Sequence, residues 1–207
     1  GASDFTTALH DLIKEEITAH QRIIFNGNGY DDAWIEEAEK RGLSNLRTLP
    51  DAVKHYMDDK NVALFTSHKV YSEIEMQSRH EVFLEKYTKL IDIEAKTMLE
   101  MAKQDILPAV NAYSSELASS TENVFAQETL DEITADLTSA YGSYKALKAA
   151  VEKSDEIEDL VEKADFFKDE ILKDMTDLRT SCDKLEEETA AEYWPFPTYG
   201  DLLFAVR

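Results

Sequence analysis

The segment from Leu130 to Val151, LDEITADLTSAYGSYKALKAAV, is the part of the sequence that decides the fold class. Its apolar positions alternate three and four residues apart: Leu130, Ile133, Leu137, Ala140, Tyr144, Leu147 and Val151. This heptad spacing places an apolar seam along one side of an α-helix, and the seam is buried when the helix packs against others. We therefore predict a long helix that begins near Thr121 and lies within a bundle.

The preceding segment, from Ser72 to about Ala118, predicts another long helix. Ser72 and Glu75 have the spacing of a capping box, in which each side chain binds an amide at the helix start. Four apolar residues recur eleven positions apart: Leu84, Ala95, Ile106 and Leu117. That period keeps them on one side of a nearly straight helix. Pro108 removes one backbone hydrogen bond, so we expect a bend or a break near Gln104.

A third long helix is expected after Val151, with Ser154 as its N-cap. Its apolar positions are Ile157, Leu160, Ala164, Phe167, Ile171, Met175, Leu178, Cys182 and Leu185. Two consecutive steps of four, centred on Ile171, shift the register of this seam. Three long helices with short connections predict an all-α fold, with a long antiparallel three-helix bundle over residues 71–192.

Residues 1–70 predict short helices that precede the bundle. An amphipathic helix is expected from Asp4 to Gln21, and Asp31 suits the N-cap of a shorter one. Residues 26–29, NGNG, predict a turn, because Asn and Gly tolerate positive φ angles. The apolar run from Ile23 to Phe25 is either a short strand or a buried connection.

The tail, residues 193–207, differs from the helical segments. Its prolines forbid a continuous helix, and its aromatic side chains offer a large apolar area for burial. We expect the tail to dock on the bundle or on another subunit. The residues predicted to form this docking surface or interface are Trp194, Pro195, Phe196, Tyr199 and Phe204.

The composition excludes several classes of function. The chain has 43 acidic and 22 basic residues, so its formal net charge is -21. Phosphate backbones and anionic lipid surfaces would repel it, so neither nucleic acid nor membrane is an expected partner. Cys182 is the single cysteine, which rules out an intrachain disulfide and fits a reducing cytoplasm.

No recognisable active site emerges from the residues alone. The histidines are His10, His20, His55, His68 and His80. None is paired with cysteine, and no Glu-x-x-His motif of a di-metal bundle occurs. The NGNG turn has no lysine or hydroxyl of a nucleotide-binding loop after it. We therefore predict no catalytic, cofactor-binding or metal-ligating residue.

Several segments resemble the region that follows the catalytic domain in type III glutamine synthetases. They are residues 22–30 (RIIFNGNGY), 38–43 (AEKRGL), 78–79 (SR), 106–111 (ILPAVN) and 193–204 (YWPFPTYGDLLF). The resemblance runs in order over essentially the whole chain. Its most specific part is the tail, with two prolines interleaved among aromatic residues.

The resemblance implies a parent enzyme that uses ATP, with Mg²⁺ or Mn²⁺, to join glutamate and ammonia through a γ-glutamyl phosphate. Members of the family are large cytoplasmic enzymes built as two stacked hexameric rings. None of the family's catalytic motifs occurs in this sequence, so no catalytic or metal residue can be transferred to it. The implied role is that of a non-catalytic C-terminal helical region with a structural or assembly function.

On this interpretation residues 1–70 are the trailing segment of the catalytic domain. The implied partners are the rest of the same polypeptide and neighbouring subunits of a double-ring homo-oligomer. The opening Gly1-Ala2-Ser3, without Met, agrees with a processed or cloned piece of a longer protein. Whether the chain has activity of its own is left open, although the resemblance favours an inactive one.

The alternative is a free-standing helical-bundle adaptor that binds partner helices. It explains the heptad seams equally well, but it does not explain the tail.

Overall fold

The computed structural model describes residues 4–120 and 122–204, apart from the side chain of Tyr199. The chain divides into an N-terminal unit, Gly1–Arg47, and a C-terminal unit, Thr48–Arg207. Within the described residues the regular elements are all helical, and no β-strand forms. The predicted all-α fold is confirmed.

Two α-helices lie in the described part of the N-terminal unit: α1, Phe5–Ala19, and α2, Asp32–Lys40. Each is capped by an aspartate, as the sequence predicts for α2. The Asp4 carboxylate accepts a hydrogen bond from the Thr6 amide, and the Asp31 carboxylate accepts one from the Ala33 amide. Both caps satisfy amide groups that the first turn of a helix leaves without a partner.

The strand considered for Ile23–Phe25 is not present. Gln21–Ile23 form one turn of 3-10 helix instead, and Ile24 is extended. A strand needs a neighbour for its backbone groups, whereas here the Ile24 carbonyl oxygen accepts a hydrogen bond from Arg41 Nη1 at 2.7 Å. The segment is not a buried connection either, because Ile23 is 61% exposed.

Two short helices open the C-terminal unit: α3, Leu49–Val53, and α4, Asp59–Ser67. Thr48 caps α3, and Pro50 lies in its first turn, where the missing amide hydrogen costs nothing. Val53 of α3 packs in a small core cluster with Leu84 and Ala164, which belong to the long helices.

The first long helix consists of α5, Glu73–Met101, a π turn, Ala102–Ile106, and α6, Leu107–Ala118. The capping box is confirmed: Ser72 Oγ accepts from the Glu75 amide, and Glu75 Oε2 accepts from the Ser72 amide at 2.8 Å. Pro108 does not break the helix. Pro108 has no amide hydrogen to donate, and the helix widens into a π turn just before it. In this turn the Leu107 amide donates to the carbonyl of Ala102, five residues back.

The second long helix is α7, Val124–Ser154. Its N-cap is Asn123, whose side-chain oxygen accepts a hydrogen bond from the Ala126 amide at 2.8 Å. The predicted start at Thr121 lies outside the described residues.

The third long helix consists of α8, Leu160–Phe166, a π turn, Phe167–Ile171, and α9, Leu172–Glu188. The prediction that Ser154 caps it was wrong. Ser154 is the buried last residue of α7, and its hydroxyl donates to the Val151 carbonyl at 2.7 Å. Asp159 caps α8 instead, accepting from the amides of Val161 and Glu162.

The apolar seams predicted from the sequence form the core of the bundle. Its fully buried members include the seam residues Ala95, Ile133, Ala140, Leu147, Phe167, Ile171, Leu178 and Leu185, together with Val110, which is not one of the predicted seam positions. The register shift at Ile171 coincides with the second π turn, which rotates the helix so that both flanking segments face the core.

The three long helices alternate in direction. Leu84 packs near Ala164, and further along, Ile106 and Cys182 line one groove, so the first and third long helices run parallel. Short connections reverse the chain before and after α7, which runs antiparallel to both.

An ion-pair network fixes α3 to the third long helix. Lys168 Nζ lies 2.9 Å from Asp51, and 3.5 Å from both Asp165 and Asp169. Lys54 of the α3 C-cap pairs with Asp165 at 2.9 Å. The hydrogen bond from Lys168 to Asp51 raises the pKa of the lysine above its ordinary value, so its charge persists at any physiological pH.

Asp51 should stabilise the fold at neutral pH and stop doing so in acid. The Thr48 hydroxyl, followed by Lys168, holds the pKa of Asp51 below its ordinary value. A group with a lowered pKa contributes fully above its unfolded value of about 3.9 and loses that contribution as the pH falls through the folded value. We expect the melting temperature of Asp51→Asn to lie below wild type near pH 7, and the difference to vanish near about pH 2.

Thermal melts followed by circular dichroism at several pH values would test this expectation. Asp169→Asn is the matched control, because it removes the same charge from beside the same lysine at a more exposed position. It should change the melting temperature less than Asp51→Asn near pH 7. A difference for Asp51→Asn that stays constant from neutral pH into acid would contradict the prediction.

Candidate docking surfaces

The parallel first and third long helices leave an apolar groove between them. Its volume is about 550 Å³. The groove residues on the two long helices include Met98, Met101, Ala102, Ile106, Leu172, Met175, Leu178 and Cys182. The sequence explains the apolar lining, since most of these residues lie on or beside the predicted seams. The several methionines give the lining a flexible and adaptable surface.

The tail forms one wall of this groove. Trp194 and Phe196 pack against the main core in an edge-to-face arrangement, with ring centroids 6.4 Å apart. Both line the groove together with Pro197. The helix α9 ends at Glu188, and the prolines at 195 and 197 keep the following segment from forming helix, so the backbone can bring both rings against the bundle.

Tyr193 makes a second contact between the tail and the bundle. The Tyr193 ring packs against Tyr113 of α6, with centroids 5.3 Å apart, and its hydroxyl donates to the Glu116 carboxylate. This hydrogen bond to a carboxylate raises the pKa of Tyr193 above its ordinary value. Sequence reasoning missed Tyr193 as a docking residue, and no local signal identifies a partner 77 positions away.

The residues predicted for docking therefore do not all contact the bundle. Trp194 and Phe196 lie together on the bundle, Pro195 is exposed, and Phe204 is 82% exposed in the short helix α10, Tyr199–Phe204. The side chain of Tyr199 lies outside the part of the chain that the structure describes. A contact of Pro195, Tyr199 or Phe204 with another subunit stays a prediction.

The helix α1 carries an exposed apolar surface in the N-terminal unit. No residue of α1 is buried. We call the α1 apolar face the surface made by Phe5, Leu9, Leu12, Ile13 and Ile17, which are between 42% and 78% exposed. A contiguous apolar surface of this kind is typical of an interaction site.

An aromatic cluster stabilises the turn after α1. Phe25 stacks on Trp34 with centroids 4.2 Å apart, and the Arg41 guanidinium lies over both rings. Gly27 is required here, because an added Cβ would lie 2.4 Å from the Phe25 ring. This cluster accounts for the RIIFNGNGY segment in structural terms, although it leaves Tyr30 fully exposed.

Cys182 is buried, and burial raises the pKa of its thiol to about 11, which makes it a poor nucleophile. Within residues 4–120 and 122–204, no group of three or more His, Cys, Asp or Glu side chains could hold a metal ion. Among the helices of those same residues, none has the length and apolar character needed to cross a bilayer.

Comparison with known proteins gives a consistent result. Residues 8–124 match the family model of the glutamine synthetase C-terminal domain. The chain is 37% identical over 209 residues to a glutamine synthetase of Butyrivibrio fibrisolvens, covering 95% of this chain and 30% of that protein. It is 31% identical to a glutamine synthetase of Bacteroides fragilis, covering 95% of this chain and 29% of that protein.

A type-3 glutamine synthetase of Dictyostelium discoideum is 29% identical over 96% of this chain and 29% of its own length. The chain thus spans less than a third of the length of the curated relatives that it matches. Its resemblance to the C-terminal region of type III glutamine synthetases is confirmed.

Proposed function

We propose, from the premise that the chain belongs to the glutamine synthetase C-terminal domain family, that it is the non-catalytic helical region of a glutamine synthetase. Its role is structural: it completes the subunit and contributes to assembly. One observation carries the proposal. Similarity to the Butyrivibrio fibrisolvens glutamine synthetase extends over 95% of this chain but over only 30% of that protein. The relative therefore contains a large part that this chain does not match.

The parent protein is proposed to be a cytoplasmic ligase that joins glutamate and ammonia at the expense of ATP, with Mg²⁺ or Mn²⁺. We assign the nucleotide and the metal to the part of the parent outside this chain. Transfer of a phosphoryl group needs positive charge around the phosphate oxygens. The net charge of -21 favours a scaffolding role for this region over a phosphate-handling one.

Contacts with neighbouring subunits of a double-ring oligomer are part of the proposal. The outer side of α5 supports them, because Val82, Leu90 and Ile93 remain 55–63% exposed there. The exposed Leu202, Leu203 and Phe204 of α10 offer a second apolar surface for such a contact.

The adaptor alternative has less support. An adaptor needs free heptad seams with which to bind partner helices. In this chain Ile133, Ala140 and Leu147 have no exposed surface, since they pack in the chain's own core.

The native size of the protein in its source cells tests the proposal. An antibody raised against this chain should detect a band about three times heavier than 23.6 kDa, because the chain covers 30% of the first relative. The protein that the antibody isolates should form glutamine from glutamate, ammonia and MgATP, whereas the isolated chain should not. A single band at 23.6 kDa would overturn the proposal and favour the adaptor.

A further inference from the structure

We propose that the α1 apolar face is the surface on which the catalytic domain of the same polypeptide docks. The inference rests on the proposed function and adds the contact site to it. It starts from the arrangement of α1: five large apolar side chains lie along one side of a helix in which no residue is buried.

The α1 apolar face needs a partner. An isolated helix of 15 residues is marginal in water, since most helical stability in proteins comes from packing of an apolar side. The Glu16–His20 pair, 3.2 Å apart, lies at the C-terminal end of the same face. An apolar centre with a polar edge is the usual composition of a protein interface.

A second copy of the chain would need more surface than the α1 apolar face alone supplies. The exposed fractions of its five side chains correspond to about 500 Å² of apolar surface. A stable association of separate molecules buries about 800 Å² on each partner, of which a little over half is apolar. Pairing of two copies would therefore also require about 300 Å² of polar surface around this face on each copy.

A domain that is joined to α1 by the chain itself can dock through a smaller area than a separate molecule needs. Tethering gives an effective concentration of the order of millimolar, so a contact of modest area is sufficient. The match to the family's C-terminal domain begins at residue 8, inside α1, and the relatives continue over more than twice the length of this chain. The helix α1 therefore lies at the edge of the family domain, where the remainder of the parent protein is nearest along the chain.

Hydrogen exchange of the α1 backbone amides tests the inference, measured by mass spectrometry in the parent protein and in this chain alone. We expect exchange between residues 9 and 17 to be at least about tenfold slower in the parent. In the parent, Leu9→Gln with Ile13→Gln should restore most of the fast exchange, because these side chains lie at the centre of the α1 apolar face.

Lys14→Gln with Thr18→Gln is the matched control in the parent. These residues have the same spacing and are exposed on the opposite side of α1, so their replacement should leave the slow exchange in place. Ile17→Gln is a second, milder variant of the face, and it should give an intermediate rate.

Three results would overturn the inference. The first is equal exchange of α1 in the parent and in the isolated chain. The second is exchange of α1 in the isolated chain that becomes slower as the chain concentration is raised, which would make a second copy the partner. The third is an equal effect of the face variant and its control. A parent that forms glutamine but gives any of these results leaves the proposed function intact, whereas a source protein of 23.6 kDa removes the proposed function itself.

Discussion

Replacing both Trp194 and Phe196 with alanine should lower the melting temperature of the chain by about 10 °C. Both rings pack against the main core and close one part of the groove between the first and third long helices. Truncating a fully buried Trp or Phe costs about 3–5 kcal/mol, and each of these half-buried rings should cost about 2 kcal/mol. For a chain of this size, each kcal/mol corresponds to about 2–4 °C.

Thermal melts of the double variant, followed by circular dichroism, give the measurement. Leu203→Ala with Phe204→Ala is the matched control, because it removes similar side chains from the same tail where they are 71% and 82% exposed. The control should change the melting temperature by less than about 1 °C. An unchanged melt for the Trp194 and Phe196 variant would mean that these rings serve another subunit and contribute nothing to the bundle.

Phe167→Ala should destabilise the chain by about 3–5 kcal/mol. Phe167 is 1% exposed and belongs to the main core. It is also the first residue of the π turn that aligns the two parts of the third long helix. Its removal leaves a cavity at the point where the core depends on this local rotation, so the structure cannot easily close around the gap.

The neighbouring Phe166 provides the control for this substitution. Phe166 is only partly buried, and Lys153 lies over its ring at 5.1 Å. We expect Phe166→Ala to cost about 1–2 kcal/mol, because part of its surface is already in water. Urea unfolding curves for both variants would give the two free energies. An equal loss in the free energy of unfolding for Phe167→Ala and Phe166→Ala would show that the π turn does not orient the helix as described.

Helix starts were largely predictable from the sequence. Asp31 caps α2, and Ser72 forms a capping box with Glu75, as their spacing indicates. Such caps join residues two or three positions apart, so the pattern that encodes them is visible locally. The seams were predictable for a related reason, since Ile133, Leu147 and Leu178 follow the period of a helix whichever partner they meet.

Two local predictions failed because the local sequence is compatible with more than one structure. Ser154 and Asp159 are both capable N-caps between α7 and α8. Only the packing of the bundle shows that Ser154 belongs inside the end of α7, where it is buried. Likewise, the apolar run at Ile23–Phe25 would suit a strand, but no neighbouring strand forms in the described residues to pair with it.

The docking surfaces were predictable in part. The aromatic and proline-rich composition singled out Trp194 and Phe196, and the structure lays both on the bundle. The contact of Tyr193 with Tyr113 and Glu116 could not be foreseen, because it joins segments far apart in sequence. Pro108 signalled a disturbance in the first long helix, but not the π turn through which the backbone recovers its hydrogen bonds.

For this protein, short-range chemistry in the sequence was enough to specify the helices, most of their caps and the side of each long helix that is apolar. These features depend on residues at most one or two helical turns apart. The tertiary structure alone decided that the parallel first and third long helices leave a groove, and that two tail rings form one wall of it. It also decided that the α1 apolar face remains exposed. Each of these outcomes depends on which surfaces meet in space, and a periodic pattern along the chain contains no record of that choice.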